Sequence, residues 1–354
     1  MKTEISHAAT RSHKTGKQVV HLLPDLTVRH TRFSPVLMIG QPRSGTTILA
    51  RMLRKYLKIN SGPESQFFIR MQKKVPQYGD LNIDKNAISL IRDIAKERCI
   101  RRNQFNYKVD VSAVLQDLTE RHYPAIIDAI YWQFARHNGM VRWGDKTPDY
   151  IENLNLLYRM FPHAQFIHIV RDGRDVALSN KYVHFGAQNP VVAAMEWDRR
   201  IKLVNQFAMK LPTEQFFELR YEDFLADPGS VFRDLIDFLG ISDPDKTLIR
   251  YIDNHIREDL KPNNFNKWKQ QFSRSEKFNF ERVAGYSLQH YDYETTLTYP
   301  NPLSAAEKSY WQLKHIWRKY TRSDSWMDNF YKLKLRFRQN TISIRKQMKL
   351  TNGI

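Results

Sequence analysis

The fold is decided by the stretch SPVLMIGQPRSGTTILARML, which runs from Ser34 to Leu53. It begins with an apolar run, Val36 to Ile39, that is long enough for a buried strand, and its end has the apolar spacing of an amphipathic helix. Between them, Gly40 to Thr47 has the outline of a phosphate-binding loop, because glycines let the backbone turn tightly and N–H groups at a helix start form an anion cradle. The stretch therefore predicts a strand, an anion-binding loop and a helix.

The loop differs in one respect from that of nucleoside triphosphatases, which place Lys followed by Ser or Thr after the second glycine. Thr46 and Thr47 occupy those two positions here. A loop without that lysine is poorly suited to the β- and γ-phosphates of a magnesium-bound nucleotide, whereas Arg43 could serve a different transferable anionic group. The alternative is a structural glycine turn, and the loop alone does not name the reaction.

The composition is that of a globular protein with enough material for a sizeable core: of 354 residues, 42% are hydrophobic and 26% are charged. No apolar run approaches the roughly 20 residues that a membrane-spanning helix needs, and the first residues lack the apolar segment of a signal peptide. Cys99 is the only cysteine, which excludes an internal disulfide and a multi-cysteine zinc site. We therefore expect a cytoplasmic protein.

The charge is strongly basic but uneven. The chain has 56 Lys and Arg against 37 Asp and Glu, a net charge of +19, and residues 305–354 alone carry 12 basic against 3 acidic residues. Because about half of the excess lies in this tail, we expect no specific nucleic-acid partner for the rest. A basic amphipathic helix in the tail could lie on an anionic membrane as a peripheral contact, or pack on its own domain.

The division of the chain follows from these patterns. We expect an N-terminal arm over residues 1–33, one catalytic-type domain over residues 34–300 and a basic amphipathic extension over residues 301–354. The domain is predicted to be α/β, with a P-loop-type, mostly parallel sheet that is flanked by helices on both faces.

A second strand is predicted over Phe166 to Val170, followed by an Arg-Asp-Gly turn into a helix. This places Arg171 at the carboxyl end of a strand, where open parallel sheets bind their ligands. Ser179 follows about two helical turns later. An arginine fork and a hydroxyl aimed at one place suit a phosphate, and the alternative is that the charged residues of this turn form a surface network.

Two further polar residues stand at element starts. Glu64 follows a Gly-Pro turn, and Lys146 precedes a helix that Pro148 is predicted to open. From these local patterns alone, the favoured explanation of Glu64 is an acid that complements a helix dipole, and that of Lys146 is a surface lysine.

The motifs in combination resemble the sulfotransferase superfamily, whose members use 3′-phosphoadenosine 5′-phosphosulfate (PAPS), and most of all its tyrosylprotein-sulfotransferase-like branch with bacterial relatives. Gly40 to Thr47 is similar to the 5′-phosphosulfate loop of that branch, and Val170 to Ser179 is similar to its 3′-phosphate motif. The remaining pieces follow in the expected order: Asp145-Lys146-Thr-Pro148, Phe161-Pro-His-Ala164, Arg220-Tyr221-Glu222-Asp223 and Lys267-Trp268. The similarity covers residues 34 to about 290.

The resemblance implies roles for individual residues. Glu64, at the position of the family's catalytic base, would work with Arg43 and Lys146 in catalysis. The residues expected to bind the nucleotide are Arg43, Ser44, Gly45, Thr46, Thr47, Arg171, Ser179, Tyr221 and Lys267. No metal is required. The serine that this branch places before the Lys-Trp pair has no counterpart that the sequence identifies.

The resemblance also implies a reaction, the transfer of a sulfuryl group from PAPS to a hydroxyl of a carbohydrate, a lipid-linked glycan or a small alcohol or phenol. Adenosine 3′,5′-bisphosphate would be released. Two other functions stay open from the residues: a P-loop kinase for a small molecule, which would need magnesium and ATP, and a non-catalytic protein that binds membrane or nucleic acid through its basic tail.

Overall fold

The computed structural model of the chain describes residues 27–28, 34–101, 107–181, 187, 189–298 and 301–321. Its strands are β1 Thr27–Val28, β2 Val36–Ile39, β3 Ile59–Ser61, β4 Arg142–Lys146, β5 Gln165–Val170, β6 Phe216–Arg220 and β7 Ile241–Ser242. Its α-helices are α1 Thr46–Leu57, α2 Phe68–Gln72, α3 Asp84–Ala95, α4 Arg98–Arg101, α5 Val111–Asp117, α6 Tyr123–His137, α7 Leu154–Met160, α8 Gly173–Asn180, α9 Pro190–Ala208, α10 Tyr221–Ala226, α11 Pro228–Phe238, α12 Thr247–His255, α13 Trp268–Gln271, α14 Arg274–His290 and α15 Ala305–Thr321. Short 3₁₀ helices lie at Val75–Tyr78, Pro148–Asn153, Thr213–Gln215 and Ile256–Asp259.

The main sheet has five strands in the order β3-β4-β2-β5-β6, and every neighbouring pair is parallel. The central strand β2 pairs with β4 on one side and β5 on the other. A second, two-stranded sheet pairs β1 with β7 antiparallel. The predicted α/β class with a mostly parallel sheet is confirmed, and parallel strands bring all five carboxyl ends to one edge.

Strand β2 is apolar at every position because both faces of the sheet are covered by helices. Leu37 and Ile39 belong to the core that contains residues of α3, α6 and α7. Val36 and Met38 point to the opposite face, into the core that contains residues of α1, α11 and α12. The continuous apolar run that identified this strand in the sequence is therefore the mark of two-sided burial.

Residues 142–148 have the polar composition of a turn, and no strand was predicted there, but residues 142–146 form strand β4 and all five are buried. Two of the polar side chains have hydrogen-bond partners, since Arg142 Nε donates to the carbonyl of Ser34 at 2.7 Å and Trp143 Nε1 donates to Asp128 Oδ1 at 2.7 Å. Asp145 Oδ1 has no hydrogen-bond partner among the described residues. Pro148 opens a 3₁₀ helix, and the α-helix expected there begins only at Leu154. A search for alternating polar and apolar residues misses a buried strand whose charged side chains are paired inside the protein.

The charged turn after β5 lies inside the protein, which rules out the surface network as its explanation. Arg174 is fully buried, donates to Asp172 at 2.8 Å and pairs with Glu281 at 3.2 Å. Its guanidinium also stacks on the Trp268 ring, 3.5 Å from the centroid. This cluster packs α8 against α14 and fixes the segment around Trp268, in a third core that also includes residues of α9.

The ends of the chain are described only in part. Helix α15 falls within the expected extension. The basic amphipathic helix expected in the tail rests on the pattern of residues 331–338, which lie outside the described residues. In the parts of the chain that the structure describes, no helix is both long and apolar enough to cross a membrane. The domain boundaries at residues 33 and 300 stay predictions.

Candidate active site

The predicted site residues lie in a row along the carboxyl edge of the sheet. Glu64 follows β3, Lys146 ends β4, and the loop of residues 40–45 follows β2; Arg171 follows β5 and Tyr221 follows β6. Since the sheet order is β3-β4-β2-β5-β6, this is also their order in space. Five stretches that are far apart in sequence therefore contribute to one edge.

The loop between β2 and α1 has the backbone of an anion cradle. Gly45 has a φ of +97°, and a Cβ atom there would lie 2.4 Å from Cδ2 of Tyr221. Glycine is thus required both by the left-handed backbone and by the ring packed against it. Thr46 begins α1, so the N–H groups at the start of a twelve-residue helix face the end of the loop.

Arg43 reaches across the loop toward α8. It has a φ of +77°, an unusual value for a residue with a side chain, and its Nε donates to Ser179 Oγ at 2.8 Å. The side chain of Ser179 thus lies beside the loop.

Arg171 holds two backbone segments at once. Its Nη1 donates to the carbonyl of Arg43 at 2.9 Å, and its Nη2 donates to the carbonyl of Asn264 at 2.8 Å. The guanidinium lies over the Tyr221 ring, 4.5 Å from the centroid. Its Nε is buried and has no hydrogen-bond partner among the described residues, so this N–H group is available to donate to a ligand.

Asn264 is a site residue that the sequence analysis did not single out. Its Nδ2 donates to Tyr221 OH at 2.9 Å, and its Oδ1 accepts from Lys267 Nζ at 2.7 Å. The neighbouring residues Asn263 and Asn266 both have a positive φ. Such strained positions concentrate at functional sites, but an asparagine-rich loop in a sequence is also an ordinary turn signal.

These residues surround a cavity of about 580 Å³. The residues that line it are Arg43, Gly45, Thr46, Thr47, Ile48, Arg51, Arg171, Asp175, Leu178, Ser179, Tyr221, Asn264, Lys267 and Gln271. Four of them are cationic and one, Asp175, is acidic; its Oδ1 accepts the backbone N–H of Trp268, and burial raises its pKa. The cavity is therefore suited to a ligand with several negative charges.

Of the nucleotide-binding residues predicted from the sequence, all except Ser44 line this cavity. Ser44 lies in the same loop, is fully buried, and its Oγ has no hydrogen-bond partner among the described residues. The structure thus brings the predicted set together.

Glu64 and Lys146 form an ion pair with 2.7 Å between Oε1 and Nζ. The side chain of Lys146 is 10% exposed and that of Glu64 is 37% exposed. The lysine is therefore not a surface residue, and the acid lies on a loop instead of in the first turn of a helix, because α2 begins only at Phe68. Both local alternatives from the sequence fail on these observations.

The segment after Glu64 contacts the end of β4 through Ser65. The backbone N–H of Ser65 donates to Thr147 Oγ1 at 3.0 Å and to Asp145 Oδ2 at 3.3 Å. Burial raises the pKa of Asp145 to about 6, and the hydrogen bonds from Thr147 and Ser65 counter part of that effect. This buried polar contact was not foreseen, since no local sequence signal links residues 65 and 147.

Within the described ranges, no group of three or more His, Cys, Asp or Glu side chains is arranged to hold a metal ion.

A family model described as the sulfotransferase family matches residues 35–245. The chain belongs to the sulfotransferase family. This match covers the loop, the Lys146 strand, the Arg171 turn and Tyr221, and it confirms the resemblance stated from the motifs.

This sulfotransferase-family chain is similar to named relatives over part of its length. It is 33% identical over 137 residues to the omega-hydroxy-beta-dihydromenaquinone-9 sulfotransferase of Mycobacterium tuberculosis, covering 34% of each chain. It is 22% identical over 233 residues to protein-tyrosine sulfotransferase 2 of Gallus gallus, covering 62% of this chain and 55% of the relative. The matched stretch thus spans a third to about half of the length of these curated relatives.

Among solved structures, the sulfotransferase domain from the Synechococcus PCC 7002 olefin synthase is similar, with a TM-score of 0.48 and 21% identity. The match covers 77% of this sulfotransferase-family chain and 98% of that domain.

Proposed function

We propose that this protein transfers a sulfuryl group from PAPS to the hydroxyl group of an acceptor and releases adenosine 3′,5′-bisphosphate. The observation that carries the proposal is the row along the sheet edge: an acid, a lysine, an anion cradle, an arginine and an aromatic ring, in that order. A phosphosulfate in the cradle would lie between the acid–lysine pair and the arginine.

The donor fits the cationic cavity. Thr46 and Thr47, with the N–H groups at the start of α1, would hold the 5′-phosphate. Arg171 and Ser179 would hold the 3′-phosphate, and the free Nε of Arg171 supports this because a buried donor favours a strong acceptor. Tyr221 and Lys267 would contact the rest of the nucleotide from the wall of the cavity.

The transfer follows from the acid–lysine pair. PAPS supplies an activated sulfuryl group, bound through an oxygen that leaves on the 5′-phosphate. Glu64 accepts the proton of the acceptor hydroxyl while the hydroxyl oxygen of the acceptor bonds to sulfur. Lys146 and Arg43 stabilise the negative charge on the sulfuryl oxygens and on the leaving oxygen, so the proposal requires no metal ion.

The acceptor is a hydroxyl of a carbohydrate, a lipid-linked glycan or a small alcohol or phenol. The two curated relatives are named for a hydroxylated menaquinone and for protein tyrosine, both of which offer a hydroxyl oxygen. A screen of such compounds with sulfur-labelled PAPS would identify the class.

The donor class is tested by calorimetric titration with adenosine 3′,5′-bisphosphate, with ATP and magnesium as the comparison. We expect tight binding of the bisphosphate without metal. Binding of ATP only, and only with magnesium, would favour a small-molecule kinase and contradict the proposal.

We further propose that the basic tail makes peripheral contact with an anionic membrane. The described part of the tail supports this, because Tyr310, Leu313 and Trp317 on α15 are 56%, 66% and 67% exposed. Aromatic and aliphatic side chains beside lysines are typical of helices that lie in a membrane interface. Co-sedimentation of the full chain with phosphatidylserine vesicles should fall for Leu313→Asp, and equal binding by both proteins, or equal binding to neutral vesicles, would contradict the contact.

A further inference from the structure

We propose that Ser65 and Gln66, the two residues that follow Glu64, are positioning residues that hold the predicted base beside Lys146. The inference rests on the proposed function and assigns the placement of the base to residues that the motifs do not include. Glu64 needs such help because it lies on a loop of residues 62–67, between β3 and α2, instead of on a helix or strand.

Ser65 fastens the loop to both neighbours of Lys146. Its N–H donates to Thr147 Oγ1 at 3.0 Å and to Asp145 Oδ2 at 3.3 Å, and these two residues flank Lys146 in the chain. Its carbonyl accepts from Cys99 Sγ at 3.7 Å. Because Ser65 is the next residue after Glu64, these bonds fix the separation of the two backbones that carry the ion pair.

Tyr150 fastens the same loop from the 3₁₀ helix that follows β4. Its hydroxyl lies 2.6 Å from Ser65 Oγ and accepts the N–H of Phe68 at 3.1 Å. Tyr150 is 5% exposed and Ser65 is 4% exposed, so water does not compete for these bonds. The loop is thus bound at its middle and at the first residue of α2.

Gln66 directs the carboxylate itself. Its Nε2 donates to Glu64 Oε2 at 3.3 Å, while Lys146 donates to Oε1 at 2.7 Å, so each carboxylate oxygen has its own donor. Gln66 reaches back in this way because its φ is +54°, in the left-handed region. A residue with a side chain keeps such a conformation only where its surroundings impose it, and here the buried neighbours Ser65 and Phe67 do so.

The arrangement separates two tasks. The loop bonds touch neither the nucleotide cavity nor the residues that line it. Loss of these bonds should therefore leave donor binding unchanged. It should slow the chemical step, because a displacement of the base by about 1 Å can lower the rate on the order of 10²-fold.

The experiment compares Thr147→Val, which keeps the shape but removes Oγ1, with Thr147→Ser, which keeps the hydroxyl. Tyr150→Phe tests the second fastening, and Tyr291→Phe is its matched control, since that buried hydroxyl bonds Asn205 and Glu218 far from the loop. For each protein, kcat and the KM for PAPS are measured with a small aliphatic alcohol, whose hydroxyl stays protonated at neutral pH, and with water alone. The Kd for adenosine 3′,5′-bisphosphate is measured by calorimetry.

We expect Thr147→Val and Tyr150→Phe to lower kcat by about 10- to 100-fold while KM and Kd stay within about twofold. Thr147→Ser should restore most of the rate, and Tyr291→Phe should leave it unchanged. Gln66→Gly should lower kcat without lowering the melting temperature, because glycine relieves the left-handed strain while it removes the amide.

Three results would overturn the inference. Unchanged kcat in Thr147→Val and Tyr150→Phe would contradict it and leave the proposed function intact. An equal loss of kcat and of bisphosphate affinity would indicate general loosening. Failure of the wild-type protein to bind the bisphosphate would refute the proposed function itself, and the inference with it.

Discussion

The two halves of the site are built in different ways. The donor half comprises the loop of residues 40–47 with Arg171, Ser179, Tyr221, Asn264 and Lys267, and its geometry comes from the ends of strands and the starts of helices. The base half comprises Glu64 and Lys146, and its geometry comes from side-chain hydrogen bonds that tie a loop to the end of β4. On the proposed roles, the fold itself would shape donor recognition, whereas a few hydroxyl groups would place the base. Changes in the two halves should therefore have different kinetic signatures.

The sharpest test of the base half is Glu64→Gln. We expect kcat to fall by about 10²- to 10⁴-fold, the usual contribution of a general base, with little change in the affinity for adenosine 3′,5′-bisphosphate. Steady-state kinetics and calorimetry measure the two quantities. Glu120→Gln, at an exposed acid that pairs with His122, is the control. Near-normal turnover by Glu64→Gln would refute the assignment.

The substitution Gly45→Ala tests the donor half by disturbing the backbone of its loop. Here a left-handed φ and a Cβ atom only 2.4 Å from the Tyr221 ring act together, and we expect a loss of about 2 to 5 kcal/mol in the free energy of unfolding and of bisphosphate binding. Gly139→Ala is a matched control, since its φ is +62° but nothing lies within 4 Å of the added carbon. Equal losses in the two variants, measured by denaturant unfolding, would contradict the steric part of this explanation.

Arg171→Ala sharpens the comparison within the donor half. Because the variant loses charged hydrogen bonds, the affinity for the bisphosphate should fall by about 10- to 100-fold, and the affinity for adenosine 5′-monophosphate should fall much less. Arg51→Ala is the control, because Arg51 lines the same cavity but its Nη2 donates to the carbonyl of Asp259. If both nucleotides lose affinity equally, Arg171 does not read the 3′-phosphate.

The smallest effect concerns the support of the base half at Asp145. Burial raises the pKa of Asp145 in the folded protein to about 6, above its usual value. The folded state therefore binds this proton more tightly than the unfolded state does. The resulting stabilisation is lost as the pH rises from about 4 through about 6. Asp145→Asn cannot ionise, and we expect it to be about 1 to 2 kcal/mol more stable than the wild type at pH 8, with poorer anchoring of Ser65 offsetting part of the gain. Denaturant unfolding at pH 5 is the internal control, because the difference should shrink there; a constant difference would contradict the explanation.

The elements around the proposed donor cavity were predictable because their signals are local. A buried strand, a glycine turn and a helix start follow one another within the first motif, and Arg171 follows β5 directly. The predicted strand over residues 36–39 is confirmed with the same bounds.

The base half was harder to predict for a physical reason. Glu64 and Lys146 are 82 residues apart, and periodicity does not report which loops meet. Strand β4 was missed because its arginine, aspartate and lysine imitate an exposed turn, although each is buried. Ser65 and Asn264 gave no signal of their own, since a serine in a turn and an asparagine in a loop are commonplace; only the family resemblance pointed toward Glu64 and Lys146.

The contacts of Arg171 have a consequence for the choice of donor. Together with Ser179 it restrains Arg43 from two sides, at the carbonyl and at Nε, and Arg43 is the residue proposed to meet the sulfuryl group. A group bound by Arg171 and Ser179, the proposed ligands of the 3′-phosphate, would therefore also set the conformation of the loop at Arg43. Adenosine 5′-phosphosulfate, which lacks only that phosphate, would occupy the cavity with a misaligned sulfur. Saturating amounts could then not restore its rate, and an excess of it would inhibit the turnover of PAPS by competition.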